Sequence, residues 1–164
     1  MASAPQSYVS QAMIDRKDVW SEPRYSPPVS LSDIRKWAIA VYWPEVPPRI
    51  FWDEEYAKTT RWGGIIAPQD FNPFAWPVDR RNVRNAPEAP PASERPLRGM
   101  NGGQTDTFGV PMRPGDVIAT SSALVGWEEH VGRLGLTLYV YNETRWTNQR
   151  GELVKTRRSI GIRY

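Results

Sequence analysis

The sequence predicts an α+β fold, an antiparallel sheet wrapped around one central helix, and three observations predict it. Apolar residues recur at helical spacing in the first half of the chain. The second half carries strand-like stretches separated by turn-forming residues. One segment, residues 65–76, is apolar enough to fill the concave face of such a sheet. A single hydrophobic core serves a chain of 164 residues, so one domain is expected over residues 30–164, preceded by an N-terminal arm over residues 1–29.

The arm mixes Ser, Pro and scattered charges and allows at most one short helix, around residues 11–18. Ser30 and Ser32 then offer N-caps to a helix in which Ile34, Trp37, Ala38 and Val41 recur at helical spacing. Pro44, Pro47 and Pro48 end it. The run Asp53-Glu54-Glu55-Tyr56-Ala57-Lys58 predicts a second short helix, with acids in the first turn where the helix dipole favours them, and Gly63-Gly64 stops it. Residues 69–76 read as a helix buried on most sides, with Pro68 suited to its first turn and Pro73 shortening or kinking it.

Residues 77–98 interleave Pro87, Pro90, Pro91 and Pro96 with Arg, Asn and Glu, which predicts a loop or flap bordering a cavity mouth. Strands are expected over 102–110, 117–129, 134–148 and 153–164, parted by Pro114-Gly115-Asp116, by Gly132-Arg133 and by residues 148–151. Such short connections make successive strands antiparallel neighbours. On the third strand Leu134, Leu136, Leu138 and Val140 alternate with Thr137, Tyr139, Tyr141, Glu143 and Arg145, so one face packs inward. This is the layout of a hotdog fold, and its long edge strands invite a second domain.

Eight Trp, seven Tyr and four Phe point to an apolar pocket or a subunit interface, with Trp37, Trp43, Trp62 and Trp76 as the side chains one small core has least room for. The absence of cysteine excludes disulfides, thiolate metal sites and thiol catalysis. With no leader-like start and no stretch of roughly 18 apolar residues, the chain is expected to be cytoplasmic, with no membrane partner. The net charge of +3 is dispersed apart from Arg80, Arg81, Arg84 and the series Lys155, Arg157, Arg158, Arg163. No nucleic-acid partner is expected from this pattern, whereas the weak positive bias suits a nucleotide-bearing small molecule such as coenzyme A. The Arg80 group either holds such phosphates or belongs to a solvated loop.

Four runs occur in order: residues 51–68, Gly99-Met100-Asn101-Gly102-Gly103, Arg113-Pro114-Gly115-Asp116 and residues 141–154. Together they resemble the N-terminal, degenerate type of MaoC-like dehydratase domain, found in acyl dehydratases and in mycobacterial fatty-acid dehydratase heterodimers. The resemblance covers residues 31–164. It implies a family whose catalytic members hydrate a trans-2-enoyl thioester, or dehydrate the (R)-3-hydroxyacyl product, with the Asp and His of an Asp-x-Asn-Pro-x-His run. One group activates water while a proton reaches the α-carbon, and hydrogen-bond donors stabilise the enolate-like oxygen. Laid on this sequence, the Asp position falls on Val46 and the His position on Phe51, and neither transfers a proton.

Glu45 and His130 are the available substitutes, each with a plainer reading: a solvated carboxylate at a Pro-rich bend, and a surface histidine at a hairpin tip. No Gly-x-Ser-x-Gly nucleophile run occurs, and one histidine without cysteine argues against a metal site. Gly63 and Gly64 either let a thioester approach the N–H groups opening the central helix or simply stop the preceding helix. For Asn101, Gly102 and Gly103 the resemblance implies the start of the strand beside the pocket, beyond a plain turn.

The resemblance therefore implies a non-catalytic acyl-binding and scaffold subunit of a heteromeric (R)-specific enoyl-CoA hydratase or 3-hydroxyacyl thioester dehydratase. Its partner would be a catalytic MaoC-like hotdog subunit. No cofactor is implied beyond the coenzyme A or acyl-carrier thioester of the substrate. Degenerate halves of this kind often serve bulky acyl groups. Two other readings stay open: an active homodimeric hydratase or thioesterase with relocated catalytic groups, and a non-enzymatic acyl-thioester binding or assembly protein.

Overall fold

Ser10, Ser30 and Asp53 each turn the chain into a helix by the same device, a side-chain oxygen accepting a backbone N–H of the first turn. In the computed structural model, which describes residues 7–75, 98–133 and 135–164, Ser10 caps α1 (Gln11–Arg16) through Met13 N–H at 3.3 Å. Ser30 caps α2 (Leu31–Tyr42) through Asp33 N–H at 3.0 Å. Asp53 caps α3 (Glu54–Thr59) through Tyr56 N–H at 3.0 Å, and its second oxygen accepts from Arg49, in the 3-10 turn Arg49–Phe51, at 2.6 and 2.9 Å. The Tyr56 N–H, followed by the Arg49 guanidinium, holds the Asp53 carboxyl below its ordinary pKa.

Among the described residues the sheet has five antiparallel strands: β1 (Arg24–Tyr25), β2 (Gly99–Phe108), β3 (Ala119–Gly132), β4 (Gly135–Thr147) and β5 (Leu153–Arg163), in the order β1-β3-β4-β5-β2. β3, β4 and β5 form the expected meander. The expected pairing of the first long strand with the next is corrected: β2 lies against β5, at the far side of the sheet from β3. The reason is that residues 109–118 are not a hairpin. Gly109 and Val110 N–H groups still bond Val154 and Leu153 carbonyls, Met112 C=O accepts from Ala67, and Gly115 N–H reaches Val29 C=O, so the chain crosses the end of the sheet before entering β3.

The segment over residues 65–76 is also corrected. Among its described residues there is no helix. Pro68 and Pro73 remove two backbone donors, and the chain turns twice instead, through Phe71 N–H to Pro68 C=O and Ala75 N–H to Asn72 C=O, while the Asn72 side chain accepts from Phe74 N–H at 3.0 Å. The helical side of the core comes from α2 and α3, whose Ile34 and Ala57 are fully buried against Ile118, Val154 and the half-buried Trp146. Apolar residues of the 65–76 segment, Ile65, Ala67 and Phe71, join them as irregular chain, and Trp37 packs edge-on to Phe71 at 5.5 Å. Leu138 and Val140 of β4 are buried as their alternation predicts, but Thr137, expected on the opposite, outward face, is buried as well, so the sheet is covered on both faces there.

The N-terminal segment is tied to the sheet. Asp18, Ser21 and Ser26 N–H groups bond the carbonyls of Leu124, Ser122 and Ile118, and β1 pairs Arg24 with Thr120, which covers the outer edge of β3. Among the described residues no strand pairs with the outer edge of β2. No helix of the described residues is long and apolar enough to cross a membrane.

Candidate functional site

A cleft of about 570 Å³ opens between the C-terminal end of α2, the 3-10 turn and the ends of β2 and β5. Tyr42, Ile50, Phe51, Trp62 and Ile66 form one wall, and Asp106, Phe108 and Lys155 belong to the opposite one. Its size falls in the range of small-molecule pockets, roughly 300–1,000 Å³.

The β2–β5 register creates the polar part of this wall. Asp106 sits opposite Arg157 and Phe108 opposite Lys155, while Trp146 of β4 is the other neighbour of Lys155. Arg157 donates to both oxygens of Asp106, from Nε to Oδ1 at 2.7 Å and from Nη2 to Oδ2 at 2.8 Å. Lys155 Nζ lies 3.4 Å from Oδ2, and its side chain is only 8% exposed. It stands between the rings of Trp146 and Phe108, at 5.1 and 5.6 Å from their centroids. The Arg157 hydrogen bonds hold the Asp106 carboxyl below its ordinary pKa, and the same contact raises that of Arg157. Sequence reasoning missed Asp106 and gave Lys155 and Arg157 only as members of a basic series.

The sequence candidates are dispersed. Phe51 lines the cleft, its ring 5.9 Å from that of Tyr42. Val46 is 79% exposed and outside the cleft wall. Glu45 is exposed at the bend after α2, where its N–H bonds Tyr42 C=O. His130, with a side chain 62% exposed, lies near the β3–β4 turn, 3.2 Å from Glu128 and edge-on to Tyr139. His130 pairs with Thr137 and Trp127 with Val140, so His130 projects from the face opposite that of Val140, away from the cleft.

Gly63 has φ +64 and closes the turn after α3 through its N–H to Thr60 C=O; Ile66, Ala67 and Pro68 just beyond line the cleft. No helix among the described residues starts after Gly64, so the donors that a central helix would have offered there are replaced by a turn. Asn101, Gly102 and Gly103 form a β-bulge on β2: Asn101 faces Gly161, Gly103 faces Ile160, and Gly102 is the extra residue. Gly103 adopts φ +108 and donates its N–H to the Asn101 side chain at 2.9 Å. None of the three lines the cleft. Arg80, Arg81, Arg84, Trp76 and the loop expected over residues 77–98 lie outside the described residues, apart from Arg98.

An antiparallel sheet with helices packed against it is the layout of a hotdog domain. The family model described as "FAS1-like, dehydratase domain region" matches residues 4–157, and the chain belongs to that family. No curated protein matches the chain in sequence. Its fold is similar to that in the ChsH1–ChsH2 complex of Mycobacterium tuberculosis, at 16% identity and TM-score 0.67 over 94% of this chain and 89% of that one. It is similar to the truncated HadBC (3R-hydroxyacyl-ACP dehydratase) complex of the same organism, at 20% identity and TM-score 0.57 over 90% and 98%. A MaoC-like dehydratase from Rhodospirillum rubrum shares the fold at 20% identity and TM-score 0.56 over 87% and 90%.

Proposed function

We propose that this chain is the non-catalytic acyl-binding and scaffold subunit of a heteromeric (R)-specific enoyl-CoA hydratase or 3-hydroxyacyl thioester dehydratase. The observation that carries the reading is Phe51: the side chain at the family's histidine position lies in the cleft wall and has no proton to give or take. Val46, at the aspartate position, faces solvent. Hydration needs a base for water and a proton for the α-carbon, both within hydrogen-bond reach of the substrate. Asp106 does not replace them, because the Arg157 hydrogen bonds hold its carboxyl ionised and weaken it as a base. His130 lies on the other face of the sheet.

A catalytic hotdog partner is the second part of the proposal. Two of the similar folds were solved as complexes, and this chain offers two surfaces for a partner. One is the outer edge of β2. The other is an apolar patch at the end of α2, where Ile39 is 55% and Trp43 78% exposed. Of the other expected interface aromatics, Trp37 packs in the core and Trp62 lines the cleft. The substrate would be a bulky acyl thioester of coenzyme A or acyl carrier protein, in the cytoplasm.

The test is hydration of trans-2-enoyl-CoA, followed by loss of enoyl absorbance. The purified chain alone should show none, and a co-expressed hotdog subunit with an intact Asp-x-Asn-Pro-x-His run should give a complex that turns over. Turnover by the chain alone would replace this reading with the active homodimer.

A further inference from the structure

We infer that the cleft is built to receive a carboxylate carried on an apolar body, with Lys155 as its anchor. The inference rests on the cleft itself and not on the partnered-hydratase reading. Lys155, Arg157 and Asp106 form a shielded group of two cations and one anion, their side chains 8%, 35% and 18% exposed. A net charge of that kind in a largely apolar wall is costly unless a counter-charge arrives.

The geometry shows which cation is short of partners. Arg157 takes one acceptor site on each oxygen of the Asp106 carboxylate with its paired hydrogen bonds, an arrangement favoured by the planar guanidinium. Lys155 makes only a longer contact to the same carboxylate, 3.4 Å from Oδ2, which leaves its three-donor ammonium with N–H groups to spare. The faces of Trp146 and Phe108 stabilise its charge without using its N–H donors in conventional hydrogen bonds. An ammonium with free donors at the wall of a cleft suits an anionic oxygen. The wall opposite, with Tyr42, Phe51, Trp62 and Ile66, suits hydrocarbon. Asp70 also borders the cleft, but it is exposed, so solvent screens its repulsion.

The carboxylate has two sources, a free medium-chain acid or the far end of a dicarboxylic acyl thioester, and binding experiments separate them. Decanoic acid and decanol would be titrated into the full chain by calorimetry, followed by the coenzyme A thioesters of decanedioic and decanoic acid. The free acid should bind at least tenfold more tightly than the alcohol if the free acid is the natural occupant. If the far end of a thioester is the occupant, the dicarboxylic thioester should show that preference over its monocarboxylic counterpart. Lys155→Met should abolish whichever preference is seen while leaving decanol affinity within about twofold. Equal affinity within both pairs, or a preference unchanged in a folded Lys155→Met variant, would overturn the inference. If that variant does not fold, the wild-type comparisons decide alone. Because the readout is binding, a chain without hydratase activity can still pass or fail it.

Discussion

Asp106 and Arg157 face each other across β2 and β5, joined by two hydrogen bonds of 2.7 and 2.8 Å, and this pair fastens the edge strand to the sheet beside the cleft. Replacing Asp106 with Asn removes the only anion from a shielded group with two cations. The expected cost is about 1–2 kcal/mol, below the range for a fully buried pair because Arg157 is 35% exposed and solvent screens it. Urea denaturation of Asp106→Asn against wild type measures it.

The same pair sets a pH dependence. The Arg157 hydrogen bonds hold the folded-state pKa of Asp106 below its unfolded value of about 3.9. Its stabilising contribution is therefore fully present above that value and is lost as pH falls through the lower folded-state pKa. The stability gap between wild type and Asp106→Asn should be widest above about pH 4 and close progressively below it. A gap independent of pH down to acid unfolding would show that the carboxylate charge is not what the pair contributes.

What was legible in the sequence was local. Ser30 signals its helix because a cap needs only a side chain and the next turn, the acids of residues 53–55 mark the next helix through its dipole, and β3 and β4 read as neighbours because only Gly132-Arg133 parts their strand-like stretches. What was not legible depends on distant partners. Asp106 and Arg157 are 51 positions apart, and nothing in either neighbourhood reveals that β2 crosses to β5. Pro114-Gly115-Asp116 looks like a hairpin turn, yet Asp116 is buried, accepting from Arg113 N–H, Gln149 and Arg150 while the chain crosses the end of the sheet. The apolar content of residues 69–76 predicts a helix, yet burial as irregular chain satisfies it equally well among the described residues. Phe51 stands out in the sequence only because the family resemblance gives its position a meaning, and its place in the cleft wall comes from the fold.

His130 should be dispensable. Its side chain is mostly exposed, on the face of the sheet opposite the cleft, so His130→Ala should change the rate of the partnered complex by less than about threefold. A loss on the order of a hundredfold would place it in the chemistry and remove the argument that this chain lacks a proton-transfer group.

Two glycines should separate backbone crowding from side-chain crowding. A Cβ on Gly109 would stand 2.1 Å from the Leu153 carbonyl oxygen, where only backbone movement relieves it, so Gly109→Ala should cost about 3 kcal/mol or prevent folding. A Cβ on Gly102 would meet Ile160 and Ile162 side-chain carbons at 2.9 Å, and those side chains can shift, so Gly102→Ala should cost about 1 kcal/mol. Since Gly102 lies outside the cleft, its variant should leave ligand affinity unchanged in calorimetry. Reduced affinity in a stable Gly102→Ala protein would return the bulge to the binding site.

The last expectation concerns the open edge of the sheet. β2 is ten residues long and exposed along nearly its whole length, with Met100 and Phe108 48% and 41% exposed. An edge of that length presents unpaired backbone donors and acceptors, which proteins protect by covering, charging or pairing it. Here the β3 edge is covered by the N-terminal segment, while among the described residues β2 carries only a bulge, a device that twists part of the edge and leaves residues 104–108 in regular register. Pairing with a second hotdog chain would satisfy those groups, and Ile39 and Trp43 at the end of α2 provide apolar surface for the same partner. In hydrogen exchange, amides of residues 104–108 that do not bond β5 should exchange quickly in the chain alone and at least tenfold more slowly in the heteromer. Trp43→Ser should weaken assembly at least tenfold while leaving the chain's own stability within about 0.5 kcal/mol, as for an exposed site. A complex that forms with β2 amides unprotected, and with Trp43→Ser affinity intact, would mean that the partner docks elsewhere on the molecule.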